Sequence, residues 1–270
     1  MVIIGAGGMG RAIARRMGSG RQLLLADHDE ATLESAAGLL RGEGHHVTTR
    51  AVDVSDRDSV AALAEAAAGL GPVSGLAHTA GLSAVQAPTQ AILRVDLLGV
   101  ALVLDAFPAV MARGGAGVVI ASLAGHMAAG LPAAHERALA TTPTPDLLAL
   151  PFLGPDEVTD PGAAYVLAKR ANALRVRAAA AAWGERGARI NSISPGVIST
   201  PMAMEELDGD NGEQMRAMVG ASAAGRLGTP DDIAAAASFL LGPQAGFVTG
   251  TDLLVDGGVI AALSTSASGR

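Results

Sequence analysis

The sequence contains no cysteine. Disulfides, thiolate catalysis and Cys-ligated metal sites are therefore excluded together. The six histidines and the acidic residues form no HExxH or comparable ligand pattern. We therefore expect no metal site.

Positive charge and long apolar runs are also scarce. The formal net charge is −7, and no run of basic residues exceeds two, so a nucleic-acid partner is not expected. The apolar runs are shorter than the roughly 20 residues that span a bilayer, so no membrane partner is expected either. The first apolar stretch leads directly into glycines, without the basic segment and cleavage site of a signal peptide. A cytoplasmic location follows as an expectation.

Aromatic residues make up only 2% of the chain, whereas half of its residues are hydrophobic. Short β-branched or leucine-rich runs alternate with longer alanine-rich segments, which is typical of βαβ units around a buried parallel sheet. The sequence therefore predicts an α/β fold: one doubly wound Rossmann domain over residues 1–270, with a seven-stranded parallel sheet flanked by helices. The predicted strands are 2–4, 22–26, 46–52, 73–78, 117–122, 189–193 and 251–255.

The first predicted strand is followed by a glycine-rich loop with a GxGxxG pattern at Gly5, Gly7 and Gly10. Glycines at these positions permit a sharp turn and a close approach of backbone N–H groups to a pyrophosphate, and the helix that follows adds partial positive charge. With Gly8 and Met9, this loop is a candidate dinucleotide site. A tight turn without a ligand is the alternative, because the chain has 35 glycines.

Asp27 ends the second predicted strand, at the interval of about 20 residues where a carboxylate accepts hydrogen bonds from the adenosine ribose. It is followed by His28, and no arginine is close enough in sequence to meet a 2′-phosphate. We therefore expect NAD as the cofactor, with NADP less favoured. Alternatively, Asp27 caps the next helix, although Asp29 could take that role.

Tyr165 and Lys169 are four residues apart in a segment of helical character, so they share one helix face. A nearby ammonium lowers the pKa of a tyrosine and suits it to acid–base catalysis. A surface pair is the alternative, but Tyr165 is the only tyrosine in the chain.

These features, taken in order, resemble the short-chain dehydrogenase/reductase family over essentially the whole chain. The other matching segments are Asp53-Val54, His78-Thr79-Ala80-Gly81, Ser122-Leu123-Ala124-Gly125, Pro195-Gly196-Val197-Ile198-Ser199-Thr200, and residues 225–233 and 250–258.

The resemblance implies an NAD(H)-dependent oxidoreductase that interconverts an alcohol, most simply a secondary one, and a ketone or aldehyde. Tyr165 is then the acid/base, and Ser122 hydrogen-bonds the substrate oxygen. Lys169 lowers the pKa of Tyr165 and contacts the nicotinamide ribose, while the hydride belongs to the cofactor.

The resemblance also assigns further cofactor contacts, together with a small alcohol or ketone substrate and a homo-oligomer. Asp53 and Val54 would contact the adenine, and the Ile198 backbone and the Thr200 hydroxyl would contact the nicotinamide carboxamide. The family's helix pairing would place a dimer or tetramer interface at about residues 88–111 and 163–184. The remaining assigned cofactor contacts are Thr79, Ala80, Gly81, Tyr165, Lys169, Pro195 and Gly196.

The sequence departs from the family pattern at Asp96, which stands where the family usually has the asparagine of a catalytic Asn-x-x-Gly segment. Aspartate keeps an oxygen there, adds a negative charge and removes the amide donor, so a different proton-relay geometry or pH optimum is expected. The turn at residues 78–81 likewise lacks the family's asparagines. The glycine loop fits the family's usual TGxxxGxG spacing only in a shortened form, and it lacks the threonine of that pattern.

Two segments interrupt the alternation of strands and helices. Residues 127–162 form an insertion that makes the interval between Ser122 and Tyr165 unusually long, and Leu147 to Leu153 within it could be a substrate lid or an oligomer contact. The methionine-rich residues 200–225 occupy the place of a substrate loop. They favour an apolar or bulky alcohol, or else pack as ordinary helix residues. His126 either reaches the substrate mouth or is a solvated turn residue.

Two other functions fit parts of this pattern. A regulatory protein could bind NAD without turnover, but the chain retains Ser122, Tyr165 and Lys169. An epimerase-like enzyme also uses Tyr-x-x-x-Lys, but it needs a sizeable C-terminal substrate domain that this chain has little length to form.

Overall fold

The computed structural model describes residues 1–128, 131–209 and 212–267. In these ranges seven parallel strands form one sheet in the order β3-β2-β1-β4-β5-β6-β7, which confirms the predicted α/β architecture. The order reverses between β1 and β4, where ligands of doubly wound sheets bind at the carboxyl ends of the strands. The strands are β1 Val2–Ile4, β2 Gln22–Asp27, β3 His46–Ala51, β4 Val73–His78, β5 Met111–Ile120, β6 Arg189–Pro195 and β7 Asp252–Val255.

The helices lie on both faces of the sheet, and several begin at side-chain caps. Asp29 accepts from backbone N–H groups at the start of α2, Asp56 caps α3, and Thr229 with Asp232 forms a capping box at α10. The helices are α1 Gly8–Met17, α2 Glu30–Gly42, α3 Arg57–Gly69, α4 Thr89–Ile92, α5 Gly99–Ala106, α6 Ala133–Thr141, α7 Pro161–Glu185, α8 Pro201–Asp208, α9 Gly212–Ala221, α10 Pro230–Leu241 and α11 Val259–Ala267.

Alternate residues of the central strands pack into two separate hydrophobic cores. Ile3 on β1 packs in a cluster with α1, α2 and α10, whereas Ile4 packs in a cluster with α3, α5 and α7. Trp183 of α7 is fully buried in the second cluster, where its indole N–H donates to the Leu104 carbonyl at 3.2 Å. With so few aromatic residues, small aliphatic side chains form most of the core and let the helices pack close to the sheet.

A six-residue π-helical segment, Leu93–Leu98, joins α4 to α5. Segments with this wider hydrogen-bonding pattern are rare and occur often at functional sites. Here the segment carries Asp96, which is fully buried.

The insertion folds onto the outer side of α5 and α7. Leu147 and Leu153 are 0% and 2% exposed, and they pack in a third cluster with Ala101 of α5 and Ala171 of α7. Tyr165 lies against the same cluster, partly buried. Both ends of the segment considered as a lid are therefore buried against α5 and α7, beside the predicted catalytic helix.

A buried arginine fixes the insertion to α7. The Arg175 guanidinium donates to the carbonyls of Leu139 and Thr142, each at 3.0 Å, and to the Thr144 hydroxyl at 3.2 Å. Thr144 in turn donates to Asp105 of α5 at 2.6 Å. The carbonyls left unpaired at the end of α6 thus find donors on the neighbouring helix.

Candidate active site

The glycine loop is a short turn between β1 and α1 that only glycine can form. Gly5 has a φ of +98°, and a Cβ there would lie 2.5 Å from the Ala80 nitrogen. A Cβ on Gly10 would lie 1.9 Å from the Gly5 carbonyl oxygen. Because β1 ends at Ile4 and α1 begins at Gly8, the turn has the shortened form expected from GxGxxG.

The first turn of α1 presents free backbone donors. Gly7 is the N-cap and forms no side-chain cap, so the N–H groups of Gly8, Met9 and Gly10 have no intrahelical partner. Gly7 itself is exposed, with no atom near the position of a side chain. Free amides at a helix N-terminus fit the pyrophosphate of a dinucleotide. The side chain of Met9 packs on the core beneath.

Thr79 connects the glycine loop to the turn after β4. Its hydroxyl donates to the Gly5 carbonyl at 3.0 Å, and the N–H groups of Thr79 and Ala80 donate to the Ile4 carbonyl at 2.7 and 2.9 Å. These bonds supply the support expected from the asparagines that this turn lacks.

Asp27 lies beside the glycine loop at the end of β2. One carboxylate oxygen accepts from the Ala6 N–H at 2.7 Å and the other from the Asp29 N–H at 3.0 Å. Asp29, and not Asp27, caps α2. The structure therefore places a partly exposed negative charge next to the free amides of α1.

The turn after β3 is closed by its own side chains. The Asp53 carboxylate accepts from the N–H and the hydroxyl of Ser55, both at 2.8 Å. Val54 is buried, and a Cβ on Gly99 would approach its side chain to 2.9 Å. The predicted adenine contacts thus sit on a turn that packs against α5.

The predicted nicotinamide contacts follow β6, which ends at Pro195. The Gly196 N–H donates to the Val255 carbonyl at 2.9 Å, and a Cβ on Gly196 would lie 2.7 Å from the Asp256 Cα. Ile198 pairs with Gly228 in an isolated parallel bridge.

Thr200 brings this segment to the glycine loop. Its hydroxyl oxygen accepts from the Ala203 N–H at 3.3 Å as the N-cap of α8 and retains its own hydrogen for donation. A Cβ on Gly8 would lie 3.1 Å from the Thr200 methyl carbon. The two predicted halves of the cofactor site are therefore neighbours.

Ser122 and Tyr165 meet where β5 ends and α7 begins. Ser122 follows β5 as the N-cap of a short 3-10 helix, and its side chain lies close enough to Tyr165 to lower the pKa of the phenol. That turn packs tightly on α7, because a Cβ on Gly125 would lie 2.9 Å from the Arg170 nitrogen. The Lys169 Nζ lies 5.3 Å from the centroid of the Tyr165 ring.

Asp96 forms a buried ion pair with the predicted catalytic lysine. The Lys169 Nζ lies 2.9 Å from one oxygen of the carboxylate, and both side chains are nearly inaccessible to solvent. The other oxygen accepts from the Leu82 N–H at 2.8 Å. Gly81 covers the pair, since a Cβ there would lie 3.0 Å from the Lys169 Nζ.

The electrostatics of Tyr165 differ from the expectation based on Lys169 alone. Burial raises the pKa of Tyr165, and this effect exceeds the lowering by the Lys169 ammonium and by the Ser122 hydrogen bond. The negative charge of Asp96 raises the pKa further. Lys169 therefore lowers the pKa of Tyr165 as expected, but burial outweighs this contribution.

His78 is a buried group of the site that sequence reasoning treated only as a turn residue. It ends β4 and is 1% exposed. Burial, with a smaller contribution from the Lys169 ammonium, lowers its pKa to about 3, so the ring is neutral in the physiological range. No sequence pattern signals such a histidine, because its burial depends on the strands packed around it.

Sequence reasoning also missed Glu206 of α8 and Ser83 of the loop after β4. Glu206 lies close enough to the predicted catalytic tyrosine to raise the pKa of Tyr165, and the Ser83 hydroxyl lies beside the Glu206 carboxylate. An acidic pair, Glu205 and Glu206, just after the Thr200 turn was the available signal.

His126 and the methionines have structural partners. His126 Nε2 lies 2.7 Å from the Asp252 carboxylate, which also accepts from the Ser194 hydroxyl at 2.8 Å, so His126 joins the 3-10 turn to β6 and β7. Met215 and Met218 pack in a small apolar cluster of α8, α9 and α11 as ordinary helix residues.

Within the described ranges, no group of three His, Asp or Glu side chains is arranged to hold a metal ion. No helix in those ranges is long and apolar enough to cross a bilayer.

Comparison with known proteins agrees with this geometry. Residues 1–134 match the family model for short chain dehydrogenase, and residues 131–260 match the model described as Enoyl-(Acyl carrier protein) reductase. The chain belongs to the short-chain dehydrogenase/reductase family, a class of oxidoreductases that use NAD or NADP.

Named relatives cover almost the whole chain. The short-chain dehydrogenase/reductase bsc3 of Alternaria brassicicola is 43% identical over 269 residues, which cover 99% of this chain and 98% of that protein. Galactitol 2-dehydrogenase (L-tagatose-forming) of Cereibacter sphaeroides is 31% identical, with coverage of 95% and 92%. The crystal structure of levodione reductase is 28% identical and similar with a TM-score of 0.77, covering 97% of each chain.

Proposed function

We propose that this protein is an NAD(H)-dependent oxidoreductase that interconverts an alcohol and a ketone or aldehyde, with Tyr165 as the acid/base. The observation that carries the proposal is the meeting of Ser122, Tyr165 and Lys169 at the carboxyl end of β5, beside the glycine loop.

The free amides at the start of α1 and the adjacent Asp27 carboxylate fit a dinucleotide. Gly5, Gly7, Gly8, Met9 and Gly10 would hold its pyrophosphate through their backbone, since the turn excludes a Cβ at Gly5 and Gly10 and leaves open space at Gly7. When bound, the nicotinamide supplies the hydride chemistry. The other residues assigned to hold the cofactor are Asp53, Val54, Thr79, Ala80, Gly81, Tyr165, Lys169, Pro195, Gly196, Ile198 and Thr200.

The chain's own groups handle the proton. In the oxidation direction the Tyr165 oxygen receives the proton of the substrate hydroxyl, and the Ser122 hydroxyl holds the substrate oxygen in place. The Lys169 ammonium stabilises the charged form of Tyr165. Burial alone would lower the pKa of Lys169. The Asp96 carboxylate raises it and so keeps the lysine protonated.

The direct test is NADH absorbance with a panel of alcohols and, in reverse, ketones. Turnover supports the proposal. Tight NAD binding without turnover would instead favour a regulatory protein, and inversion of a carbinol centre without net change in NADH would favour an epimerase-like enzyme.

The cytoplasmic location, the homo-oligomer and the absence of nucleic-acid and membrane partners remain predictions. A homo-oligomer in which two protomers pair through α5 and α7 would have to accommodate the insertion, because the insertion packs on both helices.

Cofactor choice is tested by Asp27→Asn. The amide oxygen can still accept one of the two backbone hydrogen bonds, but the negative charge that repels a 2′-phosphate is removed. We expect the ratio of kcat/KM for NADP to that for NAD to rise by about tenfold. Steady-state rates with each cofactor measure this ratio.

Asp29→Asn is the matched control, because it removes a nearby exposed charge and asparagine can still cap α2. An unchanged cofactor ratio in Asp27→Asn would show that the carboxylate does not face the adenosine ribose.

The pH profile tests the role of Asp96. Because the Asp96 charge raises the pKa of Tyr165, Asp96→Asn should lower that pKa. Oxidation requires the deprotonated Tyr165, so the rise of kcat/KM with pH should move to lower pH. Asp105→Asn, at an exposed aspartate of α5, is the control and should leave the profile in place. A shift to higher pH would contradict the assignment.

A further inference from the structure

The substrate side of the site contains a carboxylate that the reaction itself does not use. Glu206 lies on α8, which begins directly after the Thr200 turn, and its side chain is partly buried. It is close enough to Tyr165 for its charge to act on the phenol. Glu206 therefore lies within residues 200–225, the segment expected to form the substrate loop.

The loop after β4 connects Glu206 to the catalytic ion pair. The Gln86 amide donates to Glu205 at 2.8 Å and thereby joins the loop to α8. In the same loop the Ser83 hydroxyl lies beside the Glu206 carboxylate, and the neighbouring Leu82 N–H donates to Asp96. Glu206 and Asp96 are therefore held by adjacent residues of one loop.

Both groups lack a complete set of partners. Ser83 is 0% exposed, and its hydroxyl oxygen makes no hydrogen bond of standard geometry to any residue in the described ranges. Glu206 forms no ion pair within the same ranges, and burial raises its pKa more than the adjacent Ser83 hydroxyl lowers it. A partly buried carboxylate and a buried hydroxyl without good partners are costly unless a ligand completes their hydrogen bonds.

We propose that Glu206 and Ser83 form a subsite for a second polar group of the substrate, a hydroxyl or an ammonium. This inference rests on the proposed function, because it assumes that Tyr165 acts on an alcohol. The substrate is then an alcohol with a second hydrogen-bond donor. Acids are disfavoured, because a carboxylate on the substrate would face the carboxylate of Glu206.

The subsite changes the substrate expected from the methionine-rich segment. Met215 and Met218 pack in their own cluster and give no support for an apolar substrate, whereas Met204 of α8 is 45% exposed. The polar groups of the subsite are the Glu206 carboxylate, which accepts hydrogen bonds, and the Ser83 hydroxyl. Together they select for a hydrogen-bond donor on the substrate.

The test uses four alcohols with the same three-carbon frame, assayed with NAD. Isopropanol has no second polar group, propylene glycol adds a hydroxyl, isopropanolamine adds an ammonium, and lactate adds a carboxylate. We expect kcat/KM for propylene glycol or isopropanolamine to exceed that for isopropanol by about tenfold or more, and lactate to be the poorest.

Two variants of Glu206 separate the two kinds of donor. Glu206→Leu should remove the preference over isopropanol, mainly through KM, for both bifunctional substrates. Glu206→Gln keeps an acceptor oxygen, so it should retain most of the preference for propylene glycol, lose that for isopropanolamine and improve lactate. Asp208→Asn, at an exposed position near the end of the same helix, is the control and should leave all four values near those of the wild type.

Each result has one meaning. Equal kcat/KM for isopropanol and both bifunctional alcohols in the wild type would overturn the subsite and leave the proposed function standing. A preference that survives in Glu206→Leu, with NAD affinity unchanged, would also overturn it. No oxidation of any of the four alcohols, and no reduction of acetone or hydroxyacetone by NADH, would overturn the proposed function and the subsite with it.

Discussion

Tyr165→Phe should lower kcat for alcohol oxidation by about 10²- to 10⁴-fold, the contribution typical of a positioned acid/base. The variant lacks the oxygen that receives the substrate proton. It keeps the ring that packs against the insertion cluster, so the fold should be preserved. NADH absorbance measures the rate, and NAD affinity with the thermal unfolding midpoint should stay close to the wild-type values.

The same residue allows a direct measurement of its pKa. Tyr165 is the only tyrosine in the chain, so tyrosinate absorbance during a pH titration reports this one group. Burial predicts that the phenol ionises above its ordinary value in the protein alone. Full activity in Tyr165→Phe would show that another group moves the proton.

The fold and most of the candidate site residues follow from local patterns. The alternation of apolar runs and helical segments predicts the seven-stranded sheet, and the glycine spacing predicts the short turn before α1. The strand boundaries depend less on local sequence. β5 begins at Met111, ahead of the predicted residue 117, because its first residues pair with β4 across an irregularity between Val73 and Gly75.

The electrostatics of the site could not be predicted from sequence. A motif places Asp96 in the catalytic segment, but only the packing of the π-helical segment against α7 shows its pairing with Lys169. The packing of the insertion could not be predicted from sequence either. Its length is visible in the sequence, whereas the burial of Leu147 depends on contacts with α5 and α7 that no local pattern encodes.

Lys169→Met should destabilise the protein by about 3–5 kcal/mol, because it leaves the buried Asp96 carboxylate without its partner. The loss should grow as the pH rises. Without Lys169, burial raises the pKa of Asp96 in the folded state above its unfolded value, so the folded state binds the proton more tightly. Stability is then retained below the unfolded pKa of the carboxyl and is lost as the pH rises through the folded one.

Chemical denaturation of a double-mutant cycle measures this coupling. Lys169→Met combined with Asp96→Asn should recover much of the stability, because the double variant buries no charge at this site. Arg170→Met is the control at the next residue. Its partner Glu136 is partly exposed, so the cost there should be about 1 kcal/mol or less. If the double variant were as unstable as Lys169→Met alone, the destabilisation would come from lost packing of the lysine side chain and not from the unpaired carboxylate.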